Sequence, residues 1–146
     1  MEKLDLAADA VNTSLTGNQE LALRMMCDCQ RQLVLDDLGE YGPVLERLGS
    51  ELSGIPPLYG QEGLHYDSRV RAHYFVGATD IFITEMSLED DCLFGFAILN
   101  GDYEMAEFGY FSLSDLRSVP MLNLDFFWVD VALREALGDV DDYFAD

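Results

Sequence analysis

Lysine is almost missing from this sequence. Lys3 is the one example, and with the arginines it brings the basic side chains to 8 against 28 acidic ones. Nucleic-acid affinity comes largely from Lys and Arg neutralising phosphates and releasing counterions, so a formal charge of −20 opposes direct binding of DNA or RNA. An anionic membrane surface is disfavoured on the same ground. Long apolar runs are absent as well: none approaches the ~18 residues that a spanning helix needs. The opening MEKLDLAADA has no basic segment followed by an apolar one. A soluble, cytoplasmic protein is the expectation.

Cysteine and histidine are also scarce. Cys27, Cys29 and Cys92 make an odd count, and Cys27-Asp28-Cys29 is too tight for the usual metal or redox spacing, so reduced thiols are expected. His65 and His73 have no HExxH or Cys/His pattern around them. No resident metal and no cofactor is expected.

What the chain does have is 49% apolar content over 146 residues, enough for one core in one domain. The apolar residues change period partway along. Leu4, Ala7, Ala8, Val11 and Leu15 recur at helical spacing, as do Leu21, Met25, Cys29, Leu33 and Leu35, and then Val44, Leu45 and Leu48. Gly17-Asn18 and Gly39 to Pro43 read as breakers between them. Residues 1–52 are therefore a helical section, and Ser53 to Gly60, with Pro56-Pro57, is a joint that no helix crosses.

Beyond the joint, Val70 to Val76, Ile81 to Glu85, Leu93 to Leu99 and Glu107 to Phe111 read as strands of an antiparallel meander. Asn100-Gly101 marks a primed turn between the last two, because both residues tolerate positive φ. Ser112 with Asp115 predicts a capped helix start. Leu122 to Trp128 reads as a fifth strand with Leu122, Leu124, Phe126 and Trp128 on one face, and Val129 to Leu137 as a closing helix ended by Gly138. The predicted class is α+β: N-terminal helices, an antiparallel sheet of four to five strands over residues 56–138, and an acidic tail, 139–146.

The charge is uneven. Residues 1–75 carry 12 acidic and 6 basic side chains, whereas residues 76–146 carry 16 acidic and only 2 basic ones, Arg117 and Arg134. Folding accounts for the aromatics of FGFAILNGDYEMAEFGYFSLSDL as alternating core positions, but not for Asp102, Glu104 and Glu107 without counter-charges. Three readings compete. Carboxylates such as Asp80, Glu85, Asp102, Glu104 and Glu107 could hold Mg²⁺ or Mn²⁺ for phosphoryl chemistry, although residues 76–116 contain no Lys or Arg to stabilise transition-state charge. They could merely solvate the sheet and discourage edge pairing. Or they could form an acidic face, Glu85, Glu89, Asp90, Asp91, Asp102, Glu104 and Glu107, with Asp139, Asp141 and Asp142 as auxiliaries. Such a face would plug a basic groove as a nucleic acid does. A balance of −14 equals the charge on about 24 Å of duplex.

The sequence offers two further candidate sites. A Ser/His/Asp nucleophile would pair Ser112 with His73 or His65, but Ser112 is better explained as a cap and no GxSxG is present. Tyr110, Phe108, Phe126 and Trp128 could offer a base-stacking platform, for which positive charge is missing.

Phe82-Ile83-Thr84-Glu85, Phe94-Gly95, Ala106-Glu107-Phe108-Gly109-Tyr110-Phe111-Ser112-Leu113-Ser114-Asp115-Leu116 and Leu124-Asp125-Phe126-Phe127-Trp128 occur in an order that resembles the domain of unknown function family 2958. The resemblance covers about residues 56–128. Ile81 stands where that family often has Trp, Asp115 where it has Glu, and Phe127 where it has His, so histidine-based chemistry is not implied. Members occur in plasmids and phages near antirestriction genes, which implies a host-defence context and supplies no catalytic residue. The resulting expectation is a non-enzymatic inhibitor of a host nuclease, a CRISPR effector or restriction enzyme, that occupies its basic surface. A metal-dependent hydrolase using the sheet carboxylates and an adaptor acting through the N-terminal helices are the alternatives.

Overall fold

A computed structural model describes residues 15–138. The series from Leu4 to Val11 and the tail acids Asp139, Asp141 and Asp142 lie outside the described residues. The rest of the helical section forms α1 (Gly17–Met25), α2 (Asp28–Leu35) and α3 (Leu38–Ser53). The Thr16 hydroxyl accepts the Gln19 amide while the Gln19 side chain accepts the Thr16 amide, a reciprocal cap that satisfies two donors at the start of α1.

Gly39 to Pro43 does not break the chain as its composition suggests; it lies inside α3. Pro43 forfeits one backbone hydrogen bond, yet the steric block that proline imposes on the preceding residue's Cβ is relieved because that residue is Gly42. Gly49 lets α3 press on the N-terminal end of α1: a Cβ there would stand 1.8 Å from the Asn18 carbonyl oxygen.

After the Pro/Gly joint the chain forms a short 3₁₀ turn (His65–Asp67) and then seven strands: β1 (Arg69–Val70), β2 (Ala72–Val76), β3 (Thr79–Ser87), β4 (Cys92–Ile98), β5 (Glu107–Ser112), β6 (Asn123–Leu124) and β7 (Val131–Ala132). Helices α4 (Leu113–Ser118) and α5 (Leu133–Leu137) complete the described residues. The main sheet has the order β5-β4-β3-β2-β6, and β1 pairs with β7 in a separate two-stranded ribbon, all antiparallel. The class is α+β, and the meander β2 to β5 follows the expected strands. Asn100 (φ 55°) and Gly101 (φ 73°) make the expected left-handed turn, although a 3₁₀ turn, Tyr103–Met105, lengthens the connection to β5.

Strand alternation sorts the core into two layers. Tyr74, Ile81, Ile83 and Leu93 face the helices, among Met25, Leu45 and Leu48. Phe82, Phe96 and Ile98 face the other way, toward Val70, Leu133 and Leu137. The apolar residues of the N-terminal helices thus cover the sheet. Tyr74 is fully buried and its hydroxyl donates to the Met25 carbonyl at 2.6 Å; burial pushes the phenol well above its ordinary pKa. At the β6 edge the Gln30 side chain substitutes for a strand, donating to the Leu124 carbonyl at 2.9 Å and accepting its amide at 2.8 Å.

Three expectations for the C-terminal part are corrected. Val70 to Val76 is interrupted at Arg71, because Val70 pairs with Val131 and leaves the main sheet. The strand expected over Leu122 to Trp128 stops at Leu124: the Asp125 carboxylate accepts the Phe127 amide at 3.0 Å and turns the chain. Phe126 consequently packs with the helix layer and Trp128 with the opposite one, so the four residues do not share a face. The closing helix begins only at Leu133, since Val131 and Ala132 are spent on β7.

Candidate functional site

Ile81, Phe82 and Ile83 alternate regularly, and simple continuation would aim Glu85 at the helix-packed core with the two isoleucines. A bulge prevents this. Ile83 pairs with Gly95 and Glu85 with Phe94, so β3 spends one extra residue at Thr84. Glu85 is thereby turned to the opposite face, in a row with Phe94 and Tyr110 and next to the row Phe82, Phe96 and Phe108.

There Glu85 is only 4% exposed. One carboxylate oxygen accepts the Tyr59 amide at 2.7 Å and the other the Gln61 amide at 2.9 Å. The Gln61 side chain extends the lock, donating to the carbonyls of Thr84 and Arg69 and accepting the Arg69 amide. Tyr59 is held at φ 70°, a conformation uncommon for a residue with a Cβ. Between this loop and the sheet lies a cavity of about 390 Å³, in the range of small-molecule pockets. Tyr59, His65, Phe94, Phe108 and Tyr110 line it around Glu85, Glu62 adds a second carboxylate, and among the described residues no Lys or Arg takes part. The Tyr59 side chain hydrogen-bonds Tyr110 and, together with burial, raises the Tyr110 phenol above its ordinary pKa.

Glu85 therefore does not belong to an exposed acidic face. The remaining described candidates divide between the two ends of β4, a strand of seven residues and so about 20 Å long. Glu89, Asp90 and Asp91 occupy the β3–β4 turn; Asp102, Glu104 and Glu107 occupy the β4–β5 connection and the first residue of β5. Among the described residues no ion pair involves any of these carboxylates or Glu85. Arginine is nonetheless near the first end, where Arg24 reaches the Leu88 carbonyl at 3.5 Å. Other arginines are paired elsewhere, Arg69 and Arg71 with Asp130, Arg71 also with Glu51, and Arg117 with Asp28.

Several of these acids do local work. Asp102 accepts the Met105 amide and caps the 3₁₀ turn, and Asp90 accepts the Ser87 hydroxyl. Asp91, at φ 53°, accepts the Ser112 hydroxyl at 2.8 Å and the Ser114 amide at 2.9 Å, while Ser112 in turn accepts the Asp115 amide as the expected N-cap of α4. Hydrogen bonds from the Ser114 hydroxyl first, then from the Ser112 hydroxyl and the Ser114 amide, hold the Asp91 carboxyl below its ordinary pKa. A depressed folded value means that this stabilisation is complete above the ordinary aspartate range, near pH ~4, and disappears as pH falls through the folded value. Denaturation of wild type and Asp91→Ala across pH checks it: the difference between them should be largest at neutral pH and close on acidification.

At His73 the sequence pattern misses the partners, Asp80 and Asp125. Its ring lies 3.0 Å (Nδ1) from Asp125 and 2.7 Å (Nε2) from Asp80, sandwiched with Phe82 and Phe75 and against Trp128. Both contacts are hydrogen bonds when both nitrogens carry hydrogen. The residues come from positions 73, 80 and 125, with no spacing rule to announce them. The arrangement ties β2 to the start of β3 and to the chain after β6. Of the nucleophile candidates, His73 is hydrogen-bonded to Asp80 and Asp125, and Ser112 to Asp91. The stacking platform is likewise divided, Phe108 and Tyr110 lining the cavity while Phe126 and Trp128 lie in different core layers.

Among the described residues no group of three or more His, Cys, Asp or Glu side chains is placed to hold a metal ion, and no helix is long and apolar enough to cross a membrane. Cys27, Cys29 and Cys92 are free thiols. No family model, curated protein or solved structure matches the chain.

Proposed function

We propose that this is a non-enzymatic binding protein for a basic protein surface. The observation that carries the proposal is the β4–β5 connection. Leu99, Tyr103 and Met105 are exposed large hydrophobics there, Met105 at 74%, and they alternate with the exposed acids Asp102, Glu104 and Glu107, none of which is in an ion pair among the described residues. Apolar side chains supply contact area while unpaired carboxylates select and steer a cationic partner. In the host-defence context that the family resemblance implies, the partner is a nuclease or CRISPR effector in the cytoplasm whose basic nucleic-acid channel this end enters. Glu89 and Asp90, about 20 Å away along β4, add a second negative point in the manner of a charged backbone.

The alternatives have less support. The sheet carboxylates lie at opposite ends, with Glu85 enclosed between, which does not favour a shared catalytic metal. Much of the apolar surface of the N-terminal helices packs on the sheet, which leaves less of it for an adaptor. Capture from host lysate on the immobilised protein tests the proposal. A DNA-binding or nuclease protein should be retained at low salt and released at high salt and by duplex DNA; recovery of none at either salt would overturn it.

A further inference from the structure

Resting on the reading of a basic protein as partner, we infer that the cavity over Glu85 receives an arginine side chain of that partner. A carboxylate removed from water is costly unless its charge is compensated. Glu85 is 4% exposed and has two backbone amides, one on each oxygen, and among the described residues no ion-pair partner. A carboxylate has about four lone-pair directions, so each oxygen retains acceptor capacity. The cavity beside it is lined by Glu62 and His65 and, among the described residues, by no Lys or Arg, which gives it the charge of a receptor for a cation.

Its walls favour guanidinium in particular. Phe94 sits across from Glu85 on β4, and Tyr110 across from Phe94 on β5, with Phe94 and Tyr110 ring centroids 4.8 Å apart and Phe94 and Phe108 at 5.8 Å. A guanidinium is planar, stacks on aromatic faces, is less strongly hydrated than ammonium, and presents parallel N–H groups matched to the two oxygens of a carboxylate. The aromatic row and the carboxylate are adjacent because the Thr84 bulge moves Glu85 out of phase with Ile81 and Ile83. The loop that covers the cavity is anchored at Tyr59 and Gln61 by the same carboxylate, so the receptor is formed before a ligand arrives.

The probe is Nα-acetyl-arginine methylamide, compared by NMR titration with the norleucine analogue, which has no charge, and with the lysine analogue. Arginine should shift the amides of Tyr59, Gln61, Phe94 and Tyr110, lysine more weakly, and norleucine hardly at all. Tyr110→Ala, at an exposed edge-strand position, should fold normally and weaken arginine binding by about fivefold to thirtyfold, the loss of one cation–π contact. Phe94→Leu should do the same. Equal responses to arginine and norleucine, shifts confined to Glu89, Asp90 or the β4–β5 connection, or binding indifferent to both substitutions would overturn the assignment. These failures are distinct from failure of lysate capture: a partner captured equally well by wild type and Tyr110→Ala removes the arginine pocket and leaves the basic partner in place.

Discussion

Glu85→Ala should lower the free energy of unfolding by about 3 kcal/mol and the melting temperature by about 10 °C. Two backbone amides, of Tyr59 and Gln61, lose their acceptors, the Gln61 amide from a buried hydrogen bond and the Tyr59 amide from a part-buried one, and an orphan left buried costs about 1–3 kcal/mol. Relief of the buried charge offsets part of that sum, which is why the expected value lies below the two penalties taken together. Glu85→Gln should fall between the two proteins, because its one oxygen can accept from one amide while its NH₂ confronts the other. By contrast Glu89→Gln, Glu104→Gln and Glu107→Gln, at exposed positions, should each stay within about 0.5 kcal/mol. Thermal melts of wild type and these five variants at one pH and salt give the comparison. A Glu85→Ala protein as stable as Glu104→Gln would mean that the loop over the cavity is not held by this carboxylate.

The two Phe-Gly pairs, equivalent by sequence, should respond very unequally to a single methyl group. Gly95 and Gly109 are direct cross-strand partners. A Cβ at Gly95 would stand 2.1 Å from the Phe82 carbonyl oxygen and 3.0 Å from the Ile83 Cα, both backbone atoms of the central strand beside its bulge, where nothing can rotate away. At Gly109 nothing lies within 4 Å. Gly95→Ala should therefore cost about 3 kcal/mol or more, at the upper end of overpacking effects, whereas Gly109→Ala should remain within about 1 kcal/mol of wild type. Denaturant midpoints settle the contrast, and equal effects at the two positions would contradict the close approach at Gly95.

The sheet was legible where local chemistry and pattern agree. Alternation placed β2 to β5, Asn100-Gly101 placed the left-handed turn, and Ser112 with Asp115 placed the start of α4. What escaped depends on contacts between distant residues. The Leu122 to Trp128 alternation is a sound strand pattern, but Asp125 turns back on Phe127 and reaches His73, 52 residues earlier in sequence. Gly39 to Pro43 has breaker composition, yet Gly42 before the proline relieves the Cβ part of the conflict, and α3 continues through it.

Glu85 did leave a trace. In Ile81-Phe82-Ile83-Thr84-Glu85 a charged residue falls in phase with two isoleucines, and a carboxylate in the core phase of a strand signals a bulge as readily as an exposed face. Counting acids along the chain could not separate Glu85, enclosed by a loop more than twenty residues upstream, from Glu104, which faces water. Nor could it tell that Glu89 and Glu107 stand at opposite ends of one strand.

The central claim is that unpaired acids at the sheet ends, with the exposed apolar residues between them at the β4–β5 end, hold a basic protein. The most direct measurement is the salt dependence of affinity for the captured partner, made with wild type, with an Asp102→Asn/Glu104→Gln/Glu107→Gln protein and with a Glu89→Gln/Asp90→Asn protein. Wild-type affinity should fall steeply as salt rises, the triple substitution should weaken binding most and flatten that dependence, and the double substitution should have a smaller effect of the same kind. An affinity that is insensitive to salt and unchanged in both substituted proteins would contradict the claim.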